Sequence, residues 1–138
     1  MDVLSQIVQA ELVDGVCVVR VEDDHIAMSL RGMFVSNDGY GIRECSDRIS
    51  STFVPCAHDH TGEVVARMPA GSTANIDCEA MATQYLDQDV SKRFRDLIVE
   101  EVRTEDARRC VVSIRAEAAW LRTPLRHLGN GAIDTEPI

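Results

Sequence analysis

Through the first third of the chain, apolar and polar positions alternate in the manner of antiparallel strands. Val13-Asp14-Gly15-Val16 sets an Asp-Gly pair between two apolar runs. Such a pair accepts the positive φ angles of a two-residue type I′ hairpin loop, which predicts arms over about Gln6 to Val13 and Val16 to Val21. A polar turn, Glu22-Asp23-Asp24-His25, leads to a third strand in which Ile26, Met28, Leu30 and Phe34 alternate with Ala27, Ser29, Arg31 and Met33. Gly32 marks a weak point or bulge within it. Ser36 to Gly41 has loop composition. The runs Ile49 to Val54 and Glu63 to Met68 read as further strands of the same sheet, ended by Pro69-Ala70-Gly71.

The period then lengthens. Cys78, Met81, Ala82 and Tyr85 fall at i, i+3, i+4 and i+7, which describes a short amphipathic helix capped by Asn75 or Ser72 and broken by Asp87-Gln88-Asp89. Val90, Phe94, Leu97, Ile98 and Val102 form a second apolar stripe, predicting a helix over 90–103 with Asp89 as its cap and a Lys92–Asp96 pair on its surface. From Cys110 the period returns to two, with Val112, Ile114, Ala116, Ala118 and Trp120 on one face and Ser113, Arg115 and Glu117 on the other, as in a half-buried strand. The expected fold is α+β, a mainly antiparallel sheet from an N-terminal strand meander with an amphipathic helix pair on one face and a further strand near the C-terminus. Residues 1–122 would form one domain and 123–138 an irregular tail.

Composition narrows this only a little. The chain has 138 residues, 45% apolar and 27% charged, an ordinary globular mixture that one core can organise. No apolar run approaches the roughly 20 residues that span a bilayer, and the acidic N-terminus lacks the basic region of a signal peptide. The net charge of -9 opposes binding to nucleic acid or to an anionic membrane. It is unevenly distributed, with 15 acids and 5 bases in residues 1–90 against 8 acids and 9 bases in residues 91–138. If the two regions formed opposite surfaces, copies could associate head to tail. Five evenly spread cysteines in a chain without a secretory signal point to mostly free thiols acting as small hydrophobes, and to a cytoplasmic protein.

Candidate chemistry is concentrated in Pro55-Cys56-Ala57-His58-Asp59-His60-Thr61-Gly62-Glu63. In an extended segment Cys56, His58 and His60 point to one side, a donor set that suits zinc or iron, with Glu63 or Asp59 as fourth ligand or general base. The alternative is that this is a polar loop and the protein holds no cofactor. Cys45, flanked by Arg43 and Arg48, has the setting of an activated thiol or a plain structural one. Trp120, Arg122 and Arg126, with His127, make the one aromatic and basic cluster, a candidate contact surface for self-association or another protein. The leading expectation is a non-catalytic binding or assembly protein, a homo-oligomer or a subunit of a larger complex. The rival is a small metal-dependent enzyme built on the Cys56 segment.

Overall fold

A computed structural model describes residues 8–13, 16–21, 28–29 and 43–138. The fold is mixed α+β, in the order β1 (Val8–Val13), β2 (Val16–Val21), β3 (Met28–Ser29), β4 (Glu44–Asp47), β5 (Thr52–Pro55), β6 (Gly62–Pro69), α1 (Cys78–Leu86), β7 (Leu97–Arg103), β8 (Ala107–Ile114), β9 (Ala119–Leu121) and β10 (Thr135–Pro137). β1, β2 and β3 form an antiparallel sheet in which Val13 faces Val16, so two residues join the first two strands. The expected turn at Asp14-Gly15, the acidic turn 22–25, most of the third strand and the loop 36–41 lie outside the described residues.

The central element is a five-stranded antiparallel sheet in the order β5-β4-β6-β8-β7. Helix α1 lies on one face. Ala82, Leu86, Val90, Leu97, Val112, Ile114, Ala119, Leu121 and Leu125 close into one core there. β8 sits between β6 and β7, and all eight of its residues are buried, so the expected half-buried strand is buried on both faces. It also ends at Ile114. The chain leaves the sheet through 115–118, where Arg48 holds it by donating to the carbonyls of Ile114 and Ala116 at 3.1 and 2.8 Å. Trp120 belongs to a separate two-stranded sheet, in which β9 pairs with β10.

The expected helix pair is corrected to one helix. α1 matches its predicted stripe, although its cap is Asp77, which accepts from the Ala80 N–H at 3.1 Å. Asp87, in the left-handed conformation, terminates it. The second stripe divides instead into a 3₁₀ turn, Val90–Arg93, capped by Asp89, and strand β7. Ile98, Val99 and Val102 are β-branched, and a short loop lets this segment pair antiparallel with β8, so tertiary pairing prevails over helical spacing. The tail returns to the body of the fold. Leu125 is fully buried, and the N–H groups of His127 and Gly129 cap α1 at the carbonyls of Tyr85 and Leu86, 2.8 and 2.6 Å away.

The expectation of free thiols is also corrected for four of the five cysteines. Cys45 is bonded to Cys56, and Cys78 to Cys110. The first bridge ties β4 to the residue after β5, and the second ties the start of the helix to the centre of the sheet. Residues separated by 11 and 32 positions become neighbours only through strand pairing and helix docking, and cysteine spacing alone does not reveal this.

Candidate functional site

The segment after β5 is not extended. The His58 N–H bonds back to the Pro55 carbonyl at 2.9 Å, closing a turn, so the period-two argument that aligned Cys56, His58 and His60 does not apply. Cys56 has its sulfur in the bridge to Cys45. His58 and Asp59 are exposed, and Asp59 accepts from Arg122 at 2.9 Å. His60 is buried, its Nδ1 2.7 Å from the His58 carbonyl. Glu63 enters the core by another route, from strand β6. Among the described residues, no three His, Cys, Asp or Glu side chains converge as a metal-holding group.

Glu63 is instead the centre of a buried polar cluster. Its register partners, Cys45 on β4 and Val112 on β8, place it on the helix-bearing face, where it is fully inaccessible to solvent. One carboxylate oxygen accepts from the Tyr85 hydroxyl of α1, and the other accepts from the Leu125 N–H at 2.7 Å. Arg43, 3% exposed, donates to the Tyr85 hydroxyl, lies 3.6 Å from the carboxylate, and sits 4.8 Å from the tyrosine ring centroid. Burial pushes the Glu63 carboxyl above its ordinary range, and the Tyr85 and Leu125 hydrogen bonds, with Arg43 and His60 nearby, offset part of that rise. Burial, reinforced by the Glu63 carboxylate, raises Tyr85 well above the usual phenol value. The cluster therefore joins sheet, helix and C-terminal segment through one carboxyl group.

A second buried carboxylate lies on the opposite face of the sheet. Glu44 accepts from Arg109 Nε at 2.7 Å and Arg67 Nη1 at 3.1 Å, and the Arg109 guanidinium stacks 4.2 Å from the Phe53 ring centroid. Arg108, on the helix side, donates to the carbonyls of Ser72 and Ala74 and to Glu101. These arginines face inward. A groove of about 250 Å³ opens on the Glu44 face over Phe53, Val102, Val111 and Ser113, with Glu100 on its wall.

The structure brings two members of the surface cluster together. Trp120 and Arg122 alternate with the buried Ala119 and Leu121, so they share the outer face of β9. Arg122 is paired with Asp59 and Glu136 at 2.9 and 2.8 Å, while Arg126 lies beyond the buried Leu125. Among the described residues, the two electrical halves of the chain are likewise not segregated on opposite surfaces. They meet along the β6–β8 seam, and the Glu44–Arg109 and Asp59–Arg122 pairs cross between them.

Sequence reasoning included Glu63 but missed Arg43 and Tyr85 as its partners. The available signal was an acidic residue heading the apolar run Val64-Val65-Ala66, which on a central strand must find donors. Compared with known proteins, the chain matches no family model, no curated protein and no solved structure.

Proposed function

We propose that the chain is a non-catalytic assembly protein that works as a homo-oligomer. The observation that supports this reading is the use of its chemistry-bearing side chains as internal fastenings. Glu44 and Glu63 are surrounded by donors from the same chain, and four cysteines close two bridges. Groups held in this way contribute rigidity, and a rigid sheet with exposed edges suits association through surfaces. Among the described residues no helix is long and apolar enough to cross a membrane. The two bridges favour an oxidising compartment over the cytoplasm expected from the sequence.

Native mass spectrometry of the oxidised protein at micromolar concentration tests the proposal. The expected spectrum is that of a dimer or larger closed assembly. A monomer at every concentration up to about 100 µM, which is weaker than about 5 kcal/mol of association, overturns it.

A further inference from the structure

We propose that β7 is the assembly surface and that its partner is the β7 of a second copy, running antiparallel about a two-fold axis. This rests on the homo-oligomer reading and names the surface that reading leaves open.

The two edges of the five-stranded sheet differ. Two hydrogen bonds bracket β7 and fix its alternation, from the Arg115 N–H to the Asp96 carbonyl and from the Thr104 N–H to the Ala107 carbonyl. Even-numbered residues therefore bond to β8, and Leu97, Val99, Glu101 and Arg103 turn their N–H and C=O groups away from it. Leu97 is fully buried, so the open part of that edge is Val99, Glu101 and Arg103, six backbone groups in register with no partner among the described residues. At β5 the bond from the Cys56 N–H to the Arg43 carbonyl sets the opposite alternation, leaving Phe53 and Pro55 outward. Proline has no N–H and the Pro55 carbonyl already accepts from His58, so this edge offers only the two groups of Phe53 on a four-residue strand. β5 is a blunted edge, whereas β7 is an open template from Val99 to Arg103.

Charge selects the occupant. Lys92, Arg93, Arg95 and Arg115 gather around the start of β7 against Asp96, while at its end Arg103 and Arg108 are matched by Glu101, and Arg109 by Glu44 and Asp106, leaving the exposed Glu100 and Glu105 as the acidic excess. In a parallel pairing like ends would meet. In an antiparallel pairing the basic start of each copy lies beside the acidic end of the other, and the contact is made twice by symmetry. A two-fold axis perpendicular to the sheet keeps both helices on one side and joins the two sheets into one of ten strands.

The experiment compares dimer fractions by native mass spectrometry and sedimentation. Val99→Pro removes an N–H that makes no bond among the described residues and obstructs the edge, so the expected product is a monomer with an unchanged circular dichroism spectrum. Arg95→Glu, on an exposed side chain, should raise the dimer dissociation constant by about tenfold, and adding Glu105→Arg should restore it. If Val99→Pro fails to fold, this charge exchange decides alone. A dimer that persists in folded Val99→Pro but dissociates in Trp120→Ala/Arg126→Glu overturns the β7 interface and leaves the assembly reading intact. A wild-type monomer overturns both.

Discussion

Glu44 and Glu63 are buried to the same depth on opposite faces of one sheet, yet they are held by different chemistry. Glu44 meets two guanidiniums, one of them as buried as itself, so its neighbours supply charge. Among the described residues Glu63 is held by a hydroxyl and a backbone N–H, with the Arg43 guanidinium 3.6 Å away, so the groups bonded to it supply dipoles. Dipoles only partly replace water, and burial consequently raises the Glu63 carboxyl. Depth alone does not determine how a buried acid behaves. The kind of donor decides whether it works as an ion-pair anchor or as a group whose carboxyl burial raises.

The largest effect should come from removing the anchor. Glu44→Ala leaves Arg109 buried opposite a void and takes a partner from Arg67, and breaking a buried pair in this way costs about 3–5 kcal/mol. Thr104 and Asp106 still bond Arg109, which places the expected loss near the lower limit. Urea unfolding of the variant measures it. A loss below about 1 kcal/mol, the value of an exposed pair, would show that the Glu44 cluster is not an anchor.

The Cys45–Cys56 bridge links the two sites, because Arg43, Glu44 and Cys45 are consecutive and Cys45 faces Glu63. Replacing both cysteines by alanine should cost about 3 kcal/mol, as expected for a loop of this length. It should also loosen both clusters together. Hydrogen exchange at β4 checks this, and faster exchange confined to one face of the sheet would contradict a shared dependence on the bridge.

The same comparison shows how far the sequence could be read. The Val13–Val16 hairpin, β6 and α1 were legible because each is a local pattern, a turn dipeptide or a single period. β7 was not, since Val90, Phe94, Leu97, Ile98 and Val102 satisfy helical spacing while the pairing with β8 makes their segment a strand. Arg108 and Arg109 resemble solvated surface charges in the sequence, and only the sheet order places Glu44 beside Arg109. Of the proposed ligands, Glu63 lies at the centre of a buried polar cluster. The turn at Pro55–His58 scatters the other donors, and the partners Glu63 does find, 20 residues before it, 22 after it and 62 after it, have no local signature.

A smaller effect is the pH dependence that Glu63 brings. Because the native Glu63 value is raised above the ordinary 4.5, the folded state holds a proton that the unfolded chain has released. The contribution is fully present below pH 4.5 and is lost as pH rises through the native value. Glu63→Gln cannot titrate. Stability of the wild type should therefore fall relative to that of the variant as pH rises from about 4.5 towards neutrality, by roughly 1.4 kcal/mol for each pH unit between the two values. Denaturant curves across pH 4–8 read the difference directly, and parallel profiles would show that the Glu63 carboxyl titrates alike in the folded and unfolded chain.

The smallest effect belongs to the exposed counterpart of Glu44. Arg122 pairs with Asp59 and Glu136 at distances as short as those of the buried cluster, so geometry alone would rank the two alike. Water surrounds Arg122, however, and screens each pair while its side chain gives up rotamer freedom to hold them. Arg122→Ala should shift the thermal midpoint by no more than the error of the melt, at low and at moderate salt. A loss approaching that of Glu44→Ala would mean that the β9–β10 sheet depends on this arginine. It would also show that short ion pairs in this protein act independently of burial, removing the distinction drawn between the two faces of the sheet.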